Sequence, residues 1–348
     1  MKAAVIKEMN RLQLQEAEIP DLNDGEALIK VKYCGICGSD LHVLKGKHPT
    51  AQFPVIPGHE FVGELADIKG HETSGFQIGD IVVAQPFFSC GHCEPCAKGS
   101  DNICRHLDFM GVHRNGAFAQ YAKVLTRKMY KMPSDIDLRL AALTEPVAVA
   151  MHDVRTSGLK TGETALIIGG GPIGMLIAMV AEHAGARQIV ISEISDSRRA
   201  FAEELGYQTV NPLSDQFDKE LMKLTESKGF DVAFEVSGSK PGITAAVEYT
   251  ANTGTVMIVG MSSEPYPVDL AKVFAKELKV IGVRIHSQYN FIGAVEMLKN
   301  GDFNHKFIKL VSEIYPLAKV EEAFRYAQTP GDYFKILVDM CPNDTRGE

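Results

Sequence analysis

Residues 33–42, YCGICGSDLH, set two cysteines three positions apart, ahead of a Gly-Ser-Asp segment and a histidine. A Cys-x-x-Cys pair can be a redox dithiol, half of a zinc site, or two unrelated cysteines. A redox pair of the thioredoxin kind should open a helix. This one follows an extended run and enters what reads as a Gly-Ser-Asp turn, which argues against redox chemistry. Downstream, PGHEFVGE puts His59 beside Glu60, and TEPVAVAMHD carries Glu145. One cysteine, one histidine and one carboxylate suit an open zinc site that keeps a position for water or substrate. Taken singly, each residue also has a structural explanation: a core cysteine, a turn histidine, a surface glutamate.

A second cysteine pattern is tighter. CGHCEPCAKGSDNIC places Cys90, Cys93, Cys96 and Cys104 in the spacing C-x2-C-x2-C-x7-C. Four thiolates on one short loop suit a closed tetrahedral zinc that stabilises the loop and does no chemistry. Iron–sulfur clusters use similar spacing, but nothing else in the chain suggests electron transfer. His92 falls between the cysteines and reads as solvent-facing.

IIGGGPIG arranges Gly169, Gly171 and Gly174 as G-x-G-x-x-G, with Pro172 and Ile173 between the last two. The pattern follows an apolar run and opens another, as a dinucleotide-binding turn requires. Glycines let the backbone approach a pyrophosphate, and the helix N-terminus supplies free N–H groups. Glu193 ends the next apolar run, about twenty residues on, where an acid meets ribose hydroxyls. A carboxylate there favours NAD and opposes the 2′-phosphate of NADP. Arg198 and Arg199 follow closely and could bind that phosphate. Ser237 and Gly260, after the apolar runs FDVAFE and GTVMIV, join the expected cofactor-binding set.

These groups need a frame to hold them. At 348 residues the chain is long enough for about two domains. Its first 130 residues read as short strands and turns with no long helical period. From about Ala141 a helix, then apolar strands alternating with helices, imply a parallel doubly wound sheet. LKVIGVRI, residues 278–285, reads as its last apolar strand. From about Ser287 the pattern returns to helix and short strands. Net charge is −8, with no basic tract fit for nucleic acid. Residues 165–181 are uncharged and almost long enough to span a membrane, but three glycines and a proline interrupt them. The opening residues lack a signal-peptide core, and seven cysteines without such a signal point to the reducing cytoplasm.

Together the motifs CGSDLH, GHE, the four-cysteine loop, EPVAVAMH and GGGPIG with Glu193 resemble the zinc-dependent medium-chain dehydrogenase/reductase superfamily. They stand in that family's order over most of the chain. The resemblance implies an α/β protein: a GroES-like β-rich catalytic domain over 1–148, a Rossmann cofactor domain over 149–286, and a C-terminal return over 287–348. It implies two zincs per chain, one catalytic and one structural. Cys37 is the ligand rather than Cys34, with His59, and with Glu60 or Glu145 as the carboxylate. Glu145 would otherwise hold a water beside the metal. Ser39 would take the substrate's proton, and His42 would pass it to solvent through a ribose hydroxyl of NAD.

The motifs are closest to the polyol and sugar-acid branch, represented by sorbitol, L-idonate 5- and L-galactonate 5-dehydrogenases. Threonine and 2,3-butanediol dehydrogenases share the main motifs. A non-catalytic NAD-binding relative would usually have lost a zinc ligand or the relay, and all are present here. His113, Arg114, Arg284 and His286 are substrate-side candidates, Arg284 because a guanidinium can fork onto a sugar-acid carboxylate. The resemblance further implies a homo-oligomer, dimeric or tetrameric, acting on a small molecule, and no membrane or nucleic-acid partner is expected.

Overall fold

The computed structural model describes residues 1–70, 75–262, 264–329 and 333–342. The chain forms two compact units. One comprises Met1–Glu145 with Ser287–Glu348, and the other is Pro146–His286.

In the first unit a seven-stranded sheet is centred on the strand Glu26–Gly35. Ala27, Ile29 and Val31 alternate inward along it and are fully buried, the period-2 pattern of a strand with one face on the core. The register against the next strand, Glu60–Ile68, shifts between Val31 and Tyr33, which brings Gly35 opposite Glu60. Such an irregularity re-aims the side chains beyond it. On the other side lies Lys335–Asp339, the last strand of the chain, with Leu337 opposite Gly35. The two halves of this unit thus meet along one strand, which ends two residues before Cys37.

The Gly-Ser-Asp segment is not the turn expected of it. It opens a seven-residue helix, Gly38–Leu44, with Cys37 at the N-cap. Asp40 at the third helical position accepts a hydrogen bond from the Cys37 N–H at 3.0 Å. That bond satisfies the N–H of the cap residue, the reciprocal half of a capping box. Because Cys37 does open a helix, the secondary-structure argument against a redox dithiol lapses. What excludes exchange chemistry is burial: Cys34 is inaccessible, and its thiol is pushed well up by burial, then by the Asp40 and Glu60 carboxylates.

The second unit holds a six-stranded parallel sheet. Its spatial order is Gln208–Val210, Gln188–Ser192, Thr164–Ile168, Phe230–Glu235, Thr250–Ile258, Lys279–Gly282. Numbered along the chain, this is the doubly wound order 3-2-1-4-5-6. Thr164–Ile168 is buried at all five positions, as a central strand covered on both faces must be. The run LKVIGVRI departs from expectation. Only Lys279–Gly282 is strand, and it lies at the sheet edge with Val280 42% exposed. No helix among the described residues is long and apolar enough to cross a membrane.

A buried polar network ties the cysteine loop to the chain's return. Lys128 Nζ donates to Gln85 Oε1 at 2.5 Å, Asp101 Oδ2 at 2.9 Å and Gln288 Oε1 at 3.2 Å. The other Asp101 oxygen accepts from the backbone N–H of Gln288, the first residue of the helix Gln288–Asn300. Lys128→Met would leave Asp101 without its buried counter-charge, a defect of about 3–5 kcal/mol. We expect its denaturant midpoint to fall accordingly, while the metal content of the cysteine loop is unchanged.

Candidate active site

Asp40 organises one end of the first unit. It is 2% exposed. Its Oδ2 takes the Cys37 N–H, and its Oδ1 takes the Gly58 N–H at 2.9 Å. The same Oδ1 stands 3.5 Å from His59 Nδ1. At that separation the contact is electrostatic rather than a hydrogen bond, and the buried Nδ1 has no hydrogen-bond partner. The other ring nitrogen, Nε2, is 3.3 Å from Ser39 Oγ. Burial alone would lower the pKa of His59, but the Asp40 carboxylate and then Cys37 raise it well above the ordinary value. The electron-rich surroundings favour a cation.

Donor atoms of Cys37, His59 and Glu60 lie within 4.8 Å of one another. One ion with bonds of roughly 2.0–2.3 Å can reach sulfur, nitrogen and oxygen donors so arranged. With the carboxylate at Nδ1, Nε2 is the nitrogen left for a metal, as in carboxylate–histidine–metal triads. Glu145 is buried in the first turn of Thr144–Ser157 and lies outside the 4.8 Å group. Its charge is nonetheless felt at Lys335, the residue that meets Glu60.

Ser39 and His42 are three residues apart on the Gly38–Leu44 helix and so share a face. The pKa of His42 is lowered, by burial first and then by Lys47 and Lys45.

The donor atoms of Cys90, Cys93, Cys96 and Cys104 also lie within 4.8 Å of one another. Backbone N–H groups already aim at the sulfurs: Cys93 at Cys90, and Cys90 and His106 at Cys104. Crowding splits the thiols. The Cys93 thiol is pulled down by backbone N–H groups of Arg105 and Cys96, and Cys96 is pushed up by burial and by Cys93. Four ionised thiols at this spacing need a cation between them. His92 is exposed, with Nδ1 2.9 Å from the Cys90 carbonyl oxygen.

In the second unit the glycine turn is built from backbone. Gly169 has φ +106°, open to glycine and costly for other residues. A Cβ on Gly174 would collide with the Gly169 carbonyl oxygen. The space a Cβ would fill at Gly171 is bordered only by the Arg198 guanidinium, 3.8 Å away. Pro172 opens the helix Pro172–His183, followed by Ile173. This cradle at a helix N-terminus fits a pyrophosphate. Glu193 is buried, its oxygens accepting from the Gly170 N–H at 2.8 Å and the Ser195 N–H at 2.9 Å. Each oxygen keeps a second lone pair. Arg199 is tied to Asp196 and to the Glu193 and Ile194 carbonyls. Ser237 donates to Glu235, and the Gly260 N–H donates to the Glu235 carbonyl at 2.8 Å.

The substrate-side candidates are scattered. His113 accepts the Phe109 N–H at Nδ1, 3.0 Å, and meets Thr50 Oγ1 through Nε2, 2.7 Å. Phe109 in turn packs edge-on against the His59 ring. Arg114 is committed to Asp108 and lies over the Phe88 ring. Arg284 is exposed. His286 is completely buried; burial, and then His286, lower the pKa of His152 to about 4.

Sequence reasoning missed two residues here. Asp40 lies inside the CGSDLH motif and could have been found as the acid three residues after the candidate ligand Cys37. Lys335 has no local signal at all.

Two family models match the chain: an alcohol dehydrogenase GroES-like domain over residues 23–134 and a zinc-binding dehydrogenase domain over 172–300. The 2-dehydro-3-deoxy-L-galactonate 5-dehydrogenase of Pseudoalteromonas atlantica is 40% identical over 90% of this chain and 92% of that one. The L-threonine 3-dehydrogenase of Shewanella putrefaciens is 35% identical over 81% and 84%. Among solved structures, L-idonate 5-dehydrogenase of Escherichia coli superposes with TM-score 0.89 at 31% identity, covering 97% of each chain. A zinc-binding dehydrogenase of Sinorhizobium meliloti bound to NADP gives TM-score 0.89 at 30% identity, covering 97% and 98%.

Metal analysis of the intact protein should find two zincs per chain. Cys37→Ser should lose one, with the denaturation midpoint little changed. Cys93→Ser should lose the other, with a fall in stability. At most one zinc in fully loaded protein would overturn the two-site assignment.

Proposed function

Because the chain belongs to the zinc-binding alcohol dehydrogenase family, we propose that it oxidises a secondary hydroxyl of a sugar acid or polyol to a ketone, with NAD as hydride acceptor. The reading is carried by one observation: thiol, imidazole and carboxylate donors within 4.8 Å of one another, with a hydroxyl, Ser39, at the edge of the group. The name of the 40% identical relative supports a sugar-acid substrate. The threonine dehydrogenase relatives favour a second reading, L-threonine, which also joins a secondary alcohol to a carboxylate.

A zinc held by Cys37, His59 and a glutamate would supply Lewis acidity and lower the pKa of a substrate hydroxyl. NAD on the glycine turn would accept the hydride. The remaining steps fall to the chain. Asp40 fixes the His59 ring. Ser39 Oγ receives the substrate proton, and His42 passes it outward. The lowered pKa of His42 keeps its imidazole neutral and able to accept a proton over more of the acidic range. Glu193 sets a buried negative charge where a 2′-phosphate would otherwise sit, and Arg199 is already occupied by Asp196 and two carbonyls. Both support NAD over NADP. We assign Arg284 to the substrate carboxylate, and a second, structural zinc to the four cysteines.

His42→Ala should cut turnover by at least roughly tenfold at about pH 6 and much less at about pH 9, where hydroxide replaces the base. Zinc content should not change. A pH–rate profile identical to wild type would remove His42 from the reaction.

Steady-state kinetics on sugar acids, matching neutral polyols, threonine and ethanol should rank a sugar acid first, with NAD better than NADP. Arg284→Ala should raise KM for the acid by roughly ten- to a hundredfold, the worth of one charge-assisted contact, and leave the neutral polyol nearly unchanged. Equal losses on both would make Arg284 structural. Threonine outranking every sugar acid would favour the second reading.

A further inference from the structure

The strand Phe230–Glu235 ends on a carboxylate that no step described above uses. Glu235 is 2% exposed. It accepts the Gly238 N–H at both oxygens, 3.0 Å to Oε1 and 3.2 Å to Oε2, and Oε1 also accepts the Ser237 hydroxyl. Ser237 gives its one proton to Glu235, so its 2.8 Å contact with Ser239 Oγ must use the Ser239 proton. Ser239 in turn caps the helix Lys240–Tyr249, accepting the Gly242 N–H at 3.1 Å. The Glu235 carbonyl accepts the N–H groups of Val259 and Gly260, at 2.9 and 2.8 Å, just past the strand Thr250–Ile258. One residue thus ties the loop after the fourth strand of the parallel sheet to the loop after the fifth.

The carboxylate is enclosed by its own chain. A Cβ on Gly242 would lie 2.5 Å from Oε1, and one on Gly260 would lie 2.9 Å from Oε2. A bound molecule therefore meets the loops and not Glu235 itself. Those loops stand where such a sheet takes its ligand. Strand order reverses between Thr164–Ile168 and Phe230–Glu235, and the crevice lies at the carboxyl ends of the strands there. The Val236 N–H donates to the Ile168 carbonyl at 2.9 Å, and a Cβ on Gly169 would lie 3.0 Å from the Ser237 nitrogen. The loop that Glu235 holds thus abuts the glycine turn.

We propose that Glu235 is a positioning residue for the nicotinamide half of the cofactor, acting through the two loops it ties together. The proposal rests on the reading of the glycine turn as a dinucleotide site. A doubly wound sheet has two mononucleotide-binding halves. Glu193, after the second strand, braces the Gly170 and Ser195 amides in the first half, where an acid meets the adenosine ribose. The fourth and fifth strands belong to the other half, which leaves their loops to the nicotinamide mononucleotide. Without the Glu235 carboxylate, the Ser237 hydroxyl and the Gly238 N–H lose their shared acceptor. The loop must then shift to satisfy them, because an unmade buried hydrogen bond is costly.

The test titrates ADP and NAD separately into the intact, zinc-loaded protein by calorimetry. ADP fills the adenosine half and the pyrophosphate cradle and lacks the nicotinamide and its ribose. Glu235→Ala should weaken NAD about tenfold or more, and ADP by less than about twofold. Glu235→Gln keeps one oxygen for Ser237 and Gly238 and should recover most of the NAD affinity. Gly242→Ala leaves the charge in place but drives a Cβ against Glu235 Oε1, so it should reproduce the selective loss of NAD. Glu193→Ala should give the contrasting pattern and weaken ADP and NAD by the same factor.

Equal weakening of ADP and NAD in Glu235→Ala would make Glu235 part of the general framework of the sheet and overturn the proposal. Wild-type NAD affinity in Glu235→Ala would overturn it too, because the loops would then hold without the carboxylate. If Glu235→Ala does not fold, Gly242→Ala decides by the same comparison. These failures leave the dinucleotide reading intact. Wild-type protein that binds neither NAD nor NADP would overturn that reading, and the proposal with it.

Discussion

One buried carboxylate holds the candidate metal site in shape. Asp40 accepts a hydrogen bond from Cys37, another from Gly58, and stands against the His59 ring. The segments bearing the sulfur and nitrogen donors are about twenty residues apart in sequence, and the described hydrogen bonds of Asp40 reach both. A buried, unshared charge would be costly. Here two N–H donors and an imidazole neutralise it, so the cost of burying Asp40 becomes the force that orients the site. The helix beginning at Gly38 follows from the same interaction, since Asp40 caps it. Ser39 and His42 are on that helix and inherit their placement.

The two units solve recognition with different materials. The candidate metal site is made of side chains whose charges balance one another: Asp40 against His59, Glu60 against Lys335. The cofactor turn is made of backbone. Glycines at 169, 171 and 174 remove side chains from where a pyrophosphate would lie, and a helix N-terminus supplies the donors. Even Glu193 serves the backbone first, bracing the Gly170 and Ser195 amides. A charge braced in this way has a fixed position.

The cysteine loop contributes through a neighbour. Its own core is four sulfurs, but Asp101, between Cys96 and Cys104, neutralises the buried Lys128 and accepts from the first residue of Gln288–Asn300. A metal holding the loop closed would therefore also hold Asp101 in place. This gives the loop a physical connection to the helix Gln288–Asn300.

Much of this was legible in the chain. The four-cysteine loop and the glycine turn are written in short spacings or small residues, whereas Cys37 and His59 were singled out by resemblance to a known family, which left the carboxylate open between Glu60 and Glu145. The alternation of apolar strands and helices specified the doubly wound sheet, since hydrophobic period is a local property. Local reading failed where a residue's partner is remote. Gly-Ser-Asp has the composition of a turn, and it became a helix because Asp40 could cap from the third position while its other oxygen was satisfied by Gly58, eighteen residues away. Residues 278–285 have the hydropathy of a core strand, but only four are strand, because an edge position has one neighbour instead of two. Lys335 was invisible until strand order brought the last strand beside Glu26–Gly35, where Lys335 meets Glu60. The sequence by itself determined which donor types and which backbone freedoms exist. Only the tertiary structure decided which buried charges share a counter-ion, because Coulomb energy depends on distance in space and burial removes the water that would otherwise screen it.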